Sequence, residues 1–184
     1  AILQLADELD LQCVKLNLAQ IEELGDLVGF PTKEYEMCSP EGETCWVEEK
    51  VIDHYSRVGY TVIIGKKARM SYAPPAWLPD EGSKGGILLL DDWNRADPRF
   101  VQAIMELVDR GEYISWKLPK NWNIVLTANP DSGDYVVQSL DNAQRTRYIS
   151  FDLEFDKEVW AEWAEKEGID GRCINFVLLY PELL

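Results

Sequence analysis

Two adjacent carboxylates, Asp91 and Asp92, directly follow an apolar run of four residues, 87–90. A short, continuous apolar run is typical of a strand that is buried on both faces of a parallel sheet. Because chemistry in open α/β sheets gathers at the carboxyl ends of such strands, we expect both acids to lie at a functional edge. There, one carboxylate can hold Mg²⁺ and the other can orient a water molecule.

Further polar residues follow a second apolar run. Asn129 directly follows this run, residues 124–128, and Arg145 and Arg147 come later in the chain. An amide at the end of a neighbouring strand can hydrogen-bond to a phosphate or to an attacking water, and an arginine can stabilise charge on a transferring phosphoryl group. An acid pair, an amide and a later arginine thus follow one another in the chain.

These segments resemble the second half of an AAA+ ATPase core, most closely that of the MoxR and dynein-related branch. Residues 86–96 (GILLLDDWNRA) are similar to the family's Walker B segment, which an Asn-Arg-Ala follows. Residues 123–130 (NIVLTANP) are similar to its sensor-1 strand, and residues 140–148 to the segment that carries its arginine finger. Residues 24–31 (LGDLVGFP) resemble another stretch of the family, so the similarity extends over most of residues 1–155.

The resemblance implies a role for each polar residue. Asp91 would hold Mg²⁺ and, together with Asn129, would bind the nucleotide. Asp92 would polarise the attacking water, Asn129 would contact that water or the γ-phosphate, and Arg147 would reach the nucleotide of a neighbouring subunit. The implied cofactors are ATP and Mg²⁺, and the implied partners are further copies of the chain in a homo-oligomeric ring and a protein or complex that the ring remodels.

Structural alternatives stand beside these roles. Arg147 matches the arginine of the family better than Arg145, because an aromatic residue, Tyr148, follows it. Arg145 is then either a second finger or part of a surface ion pair. Asn129 precedes a proline, and its structural alternative is to start an Asx-turn. The alternative for Asp91 is a solvated acid at the end of a strand.

The sequence departs from the family pattern in two places. Asp92 stands where the family usually has the longer glutamate, and displacement of the water by about 1 Å can cost on the order of 10²-fold in rate. The sequence also contains no G-x-x-x-x-G-K-S/T phosphate loop, since residues 65–67 (GKK) lack the spacing and residues 82–86 (GSKGG) precede a strand. We expect the chain to start just downstream of such a loop and, as given, to be inactive toward ATP.

The predicted fold is an α/β, parallel-sheet, P-loop NTPase-like (AAA+) core over residues 1–155, followed by the start of a small helical lid over residues 156–184. Asp97 as N-cap, a proline after it and Gly111 as stop predict one long helix. Periodicity predicts further helices at residues 1–9, 45–57, 156–166 and 169–179. Strands are predicted at residues 14–18, 60–64, 87–90, 124–128 and 149–155, and residues 32–44 are predicted to form a loop.

Composition limits the function further. The 184 residues carry 18 basic and 33 acidic side chains, a net charge of −15. Nucleic-acid binding depends on neutralising phosphates, so this balance argues against a nucleic-acid partner. No apolar stretch approaches the roughly 20 residues of a membrane span. Four cysteines without zinc-site spacing indicate reduced thiols, and we therefore expect a cytoplasmic protein without a membrane partner.

A second function class stays open beside the ATPase. In this alternative the chain is a non-catalytic, AAA+-like interaction module, in which the fold is retained and the acid pair has no chemical role. The acidic surface would then serve solubility or a basic partner. The residues that precede Ala1 discriminate between the two, because a phosphate loop there favours the enzyme.

Overall fold

The computed structural model describes residues 1–63, 68–130, 137–138 and 141–183. The chain divides into two compact units, Ala1–Arg147 and Tyr148–Leu184. The first unit is mixed α/β, with one parallel and one antiparallel sheet, and the second is helical. The coarse prediction of an α/β protein with a parallel sheet is confirmed, whereas the antiparallel sheet was not predicted.

In the described residues, the strands are β1 (Gln12–Asn17), β2 (Phe30–Cys38), β3 (Thr44–Glu48), β4 (Thr61–Val62), β5 (Arg69–Ala73), β6 (Gly86–Asp91) and β7 (Trp122–Leu126). The α-helices are α1 (Ile2–Glu8), α2 (Gly25–Val28), α3 (Ile52–Arg57), α4 (Pro98–Arg110), α5 (Asn142–Arg145), α6 (Lys157–Lys166) and α7 (Gly171–Leu179). Single 3₁₀ turns add Glu49–Val51, Trp93–Arg95 and Pro181–Leu183.

The parallel sheet has the strand order β1-β6-β7. Its central strand, β6, is buried from Gly86 to Leu90, as expected of an apolar run covered on both faces. The register places Asn17 beside Asp91 and Leu90 beside Leu126. The carboxyl ends of all three strands therefore finish at one edge of the sheet.

Helix α1 covers one face of this sheet. Ala6 packs against Ile87 and Leu89 of β6. Four partly buried side chains pack against this cluster: Ile2, Leu11, Cys13 and Val125. A tight turn, in which the Leu11 amide donates to the Ala6 carbonyl at 2.8 Å, returns the chain into β1. The N-terminal end of α1 therefore points toward the same edge as Asp91.

Helix α4 begins and ends where the sequence predicts. The Asp97 side chain accepts a hydrogen bond from the Arg99 amide at 2.9 Å, and proline occupies the first helical position. The helix stops at Gly111, whose φ of 68° belongs to the left-handed region that glycine adopts readily. Its apolar face is buried at four positions: Phe100, Val101, Ile104 and Leu107.

The loop predicted at residues 32–44 is wrong, and the helix predicted at residues 45–57 is confirmed only for its C-terminal part, α3. Most of the first stretch belongs to β2, which pairs with β3, β4 and β5 in an antiparallel sheet. Pro40 and Gly42 mark the turn of a β2–β3 hairpin instead of a long loop. Residues 44–48 are rich in aromatic and β-branched types, which favour a strand, and Val47 packs there opposite Tyr35. The α-helix is confined to α3.

The strand predicted at residues 149–155 is also wrong. The apolar side chains of this alternating stretch lie in solvent, with Ile149 exposed by 87%, Phe151 by 83% and Leu153 by 88%. Alternation supplies one apolar face, but a strand also needs a neighbour for its backbone N–H and C=O groups. Within the described part of the chain no strand pairs with this stretch.

The second unit contains the two helices that periodicity predicts. Asp156 caps α6 by accepting hydrogen bonds from the amides of Glu158 and Val159, and Asp170 caps α7. Ala164 and Val177 are the buried apolar residues of α6 and α7. In the described ranges, every helix is too short or too polar to cross a bilayer.

Candidate functional site

Three of the four predicted site residues come together at the carboxyl edge of the parallel sheet. Asp91 is the last residue of β6, Asp92 follows it, and Asn129 lies three residues beyond the end of β7. Because β6 and β7 are neighbours in parallel register, the side chains that follow both strands share one edge. The fourth residue, Arg147, lies elsewhere in the same unit.

Asp91 is held from both sides, by Lys15 of β1 and by Thr127, the residue after β7. One carboxylate oxygen, Oδ2, forms an ion pair with the Lys15 ammonium of β1 at 2.7 Å. The other, Oδ1, accepts a hydrogen bond from the Thr127 hydroxyl. The Asp91 side chain is 22% exposed, so the two contacts fix a carboxylate that is mostly buried but still in contact with solvent.

These contacts keep Asp91 ionised. Its hydrogen bonds with the Lys15 ammonium and then with the Thr127 hydroxyl lower the pKa of Asp91 from its ordinary value, and burial opposes them. The same carboxylate, through its hydrogen bond and its charge, raises the pKa of Lys15. The lowered pKa of Asp91 and the raised pKa of Lys15 both favour the charged form, so the pair consists of a carboxylate and an ammonium at neutral pH.

Asp92 has an uncommon backbone conformation. Its φ of 56° and ψ of 35° lie in the left-handed region, which is a strained region for residues other than glycine, although Asp and Asn tolerate it best. The Asp92 amide donates to the Thr127 hydroxyl oxygen at 3.1 Å. Its carboxylate accepts a hydrogen bond from the Asn129 side-chain amide at 2.9 Å. Both bonds run from the end of β6 to the segment after β7.

Asn94 ties the same two segments together and is buried, with 4% of its surface exposed. Its Nδ2 donates to the Asn129 carbonyl at 2.8 Å, and its Oδ1 accepts from the Asn129 amide at 3.1 Å. In addition, the Gln138 amide donates to the Asn94 carbonyl at 2.8 Å. The two hydrogen bonds from Asn94 satisfy the backbone N–H and C=O groups of Asn129. They therefore fix the backbone position from which the Asn129 side chain extends.

Sequence reasoning missed Lys15, Thr127 and Asn94 as members of this network. Lys15 had a signal, because it is the one charged residue of β1 and has apolar neighbours, Val14 and Leu16, on both sides. Thr127 had a signal as well, since it is a hydroxyl residue directly after the last residue of β7. Asn94 belongs to the Asn-Arg-Ala segment after the acid pair, but its role as a link between two loops depends on tertiary contact.

Arg147 forms an ion pair with a residue of α4 and not with Asp91 or Asp92. Its Nε donates to the Asp109 carboxylate at 2.8 Å, and 32% of the side chain is exposed. Asp109 is near the end of α4, a helix that starts six residues after Asp92. At 1.5 Å per residue, the two ends of α4 are about 18 Å apart. Arg145 is the last residue of α5, and Leu140, which starts the predicted finger segment, lies outside the described residues.

The donor set at this edge consists of oxygen atoms. Mg²⁺ is usually held by one or two carboxylates together with waters and substrate phosphates, and Asp91 and Asp92 supply that number. Among the residues that the structure describes, no group of three or more His, Cys, Asp or Glu side chains is placed to hold a metal. The residues therefore fit Mg²⁺ that shares its coordination with phosphate and water.

Comparisons of the chain with protein-family models, with curated proteins and with solved structures gave no match. A function is therefore inferred from the residues of this edge and their geometry. Two carboxylates, one of them hydrogen-bonded to an amide, could bind a divalent cation and orient a water beside it.

Proposed function

We propose that the chain forms most of the α/β core of a MoxR-like AAA+ ATPase. In the complete protein, ATP would be hydrolysed with Mg²⁺ in a homo-oligomeric ring that remodels a protein or a complex. The hydrogen bond between Asn129 and Asp92, beside the ionised Asp91, supports this proposal most strongly. It places two acids and an amide at the sheet edge where α/β proteins bind ligands.

Asp91 would be the ligand of the metal. A bound Mg²⁺ would neutralise charge on the β- and γ-phosphates. The chain contributes a carboxylate that is already ionised and oriented, because the Thr127 hydroxyl fixes one of its oxygens. Less reorganisation is then needed when the metal arrives.

Asp92 would orient the attacking water by accepting a hydrogen bond from it. Asn129 holds one oxygen of that carboxylate, so the direction of the other oxygen is also set. Catalysis of phosphoryl transfer is mostly positioning, and this pair provides it. Because Asp92 is shorter than the glutamate usual at this place, we expect slow turnover.

Arg147 would act on the nucleotide of a neighbouring copy. Its ion pair with Asp109, near the far end of a helix that starts six residues after Asp92, supports action between subunits. Its ion pair with Asp109 is at the surface and therefore weak, so a phosphate of higher charge would compete for the guanidinium. A finger supplied in this way requires a ring or another closed assembly.

The test uses the longest natural form of the protein that contains residues 1–184. We expect Asp92→Asn and Arg147→Ala each to lower ATP hydrolysis at least 10²-fold. Mixing the two inactive variants should restore part of the activity, because an intact Arg147 of one copy can then serve an intact Asp92 of another. Full activity of both single variants would refute the site assignment, and mixtures without recovery would refute action between subunits.

A non-catalytic interaction module is the second candidate. The lack of a phosphate-loop motif within residues 1–184 favours it. In that case Asp91→Asn and Asp92→Asn would leave every activity of the natural protein unchanged, and nucleotide would not shift its thermal unfolding. Binding of Mg²⁺ and ATP by the same form, lost in Asp91→Asn, would exclude this candidate.

A further inference from the structure

We infer that Lys15 is a built-in counter-ion of the Asp91 site, which a divalent cation must displace before it can bind. The inference rests on the proposed role of Asp91 as a metal ligand. The distance of 2.7 Å between the Lys15 Nζ and the Asp91 Oδ2 carries it. Lys15 is thus a positioning residue, which acts on the metal through Asp91.

The position of Lys15 in the sheet is unusual for a lysine. Alternate residues of a strand share one face, and Leu11 and Cys13, the two preceding residues on this face, pack against the core under α1. Lys15 is aligned with Leu89, a core residue, and its side chain runs diagonally to Asp91, two residues further along β6. Lys15 therefore follows two apolar residues on the same face of the sheet, at the point where this face reaches Asp91.

The two oxygens of Asp91 have different partners, and this decides what a metal must replace. Oδ1 accepts the hydrogen bond of Thr127, a neutral group on the segment after β7. Oδ2 carries the ammonium of Lys15. A divalent cation that takes Oδ2 therefore has to exchange with a positive charge and cannot simply join it, since like charges at one oxygen repel each other.

The exchange requires little rearrangement. The Lys15 side chain is 46% exposed and has a flexible four-carbon stem, so the ammonium can turn into solvent without moving β1. A half-exposed ion pair is also weak, so a doubly charged ion can displace it. In the absence of metal, Lys15 holds Asp91 in place and neutralises it within an acidic chain.

The experiment measures Mn²⁺ binding to the full 184-residue chain without nucleotide, from the electron paramagnetic resonance signal of free Mn²⁺. We expect Lys15→Met to bind Mn²⁺ more tightly by roughly two- to five-fold, the factor that corresponds to a half-exposed ion pair. Lys15→Arg keeps the charge and should bind like the unchanged chain. Circular dichroism checks that each variant is folded.

A matched control separates this effect from the general change in net charge. Lys84 forms an ion pair with Asp10 outside the site, and its side chain is 49% exposed, close to the 46% of Lys15. Lys84→Met removes the same charge, but it should leave Mn²⁺ affinity unchanged.

The outcomes distinguish this inference from the proposed function. If Asp91→Asn abolishes Mn²⁺ binding while Lys15→Met leaves the affinity unchanged or lower, the metal site stands and the role of Lys15 is refuted. If Lys15→Arg or Lys84→Met tightens binding as much as Lys15→Met, the counter-ion role is refuted as well. If Asp91→Asn binds as before, both the metal-ligand role of Asp91 and the inference are wrong. If neither the unchanged chain nor Lys15→Met binds Mn²⁺ without nucleotide, the inference is wrong, and the ATP experiment above decides the role of Asp91.

Discussion

The side-chain amide of Asn129 donates a hydrogen bond to the carboxylate of Asp92 across 2.9 Å. The two residues follow different strands of the parallel sheet, β7 and β6, and their bond bridges the edge at which both strands end. Asn94 supports it from behind by pairing with the backbone of Asn129. Asp92, the acid proposed to orient water, is thus held by the Asn129 amide, and the backbone of Asn129 is in turn held by Asn94.

Replacing Asn129 should therefore impair chemistry more than nucleotide binding. We expect Asn129→Ala to lower kcat for ATP roughly 10²-fold in the longest natural form, the typical cost of losing one preorganised donor, with little change in KM. Asn123→Ala is the control, because Asn123 is an exposed residue of β7. Equal kinetics for both variants would show that the Asn129 amide has no part in the reaction.

Asn94 should matter for stability as well. Asn94→Ala removes both partners of the Asn129 backbone at a buried position, and we expect the free energy of unfolding to fall by about 2–3 kcal/mol. The matched control is Asn121→Ala, which removes an exposed asparagine with one hydrogen bond, to the Ser83 carbonyl. Chemical denaturation measures both, and a loss in Asn94→Ala no larger than in the control would contradict the proposed link.

The ion pair of Asp91 predicts a defined pH dependence. The folded-state pKa of Asp91 lies below its ordinary value of 3.8, so the unfolded chain binds this proton more readily. The stabilisation is therefore complete well above pH 4 and is lost as the pH falls through the lowered folded-state pKa.

The free energy of unfolding of the unchanged chain and of Asp91→Asn, measured from pH 7 down to pH 3, tests this sign. We expect the advantage of the unchanged chain to shrink toward the acidic end. A difference that stays constant, or that grows with acid, would mean that Asp91 is not stabilised in its ionised form.

The exposed apolar side chains of residues 149–155 should limit solubility. Phe151→Ser together with Leu153→Ser removes apolar surface without changing the charge, and we expect less self-association in sedimentation velocity. The free energy of unfolding should change by less than about 0.5 kcal/mol, because both side chains lie in solvent. Asp152→Ser, in the same stretch, should not reduce self-association, and equal behaviour of the two variants would refute the prediction.

Local patterns were sufficient for the elements that position the site. The apolar run before Asp91 predicts a buried strand, and Asp97 and Gly111 mark the ends of α4, because caps and buried runs depend on neighbouring residues only. The β2–β3 hairpin was missed because pairs such as Tyr35 with Val47 are set by contacts across a turn. The strand predicted at residues 149–155 was wrong for the same reason, because an alternating sequence pattern does not supply a partner strand.

The candidate site was predictable to a similar degree. Asp91, Asp92 and Asn129 were expected at one edge, because the carboxyl ends of parallel strands meet there. The contact between Lys15 and Asp91 was not, since it depends on the register that aligns Lys15 with Leu89. Sequence alone does not fix this register.

The left-handed backbone at Asp92 sets two demands against each other at one position. Glycine would adopt this conformation without steric conflict, but it would bring no acid to the sheet edge. A selection for heat resistance alone would therefore favour glycine at position 92, whereas the proposed hydrolysis of ATP would require the acid. Engineering for stability would therefore have to leave this residue unchanged if the proposed role of Asp92 is to be kept.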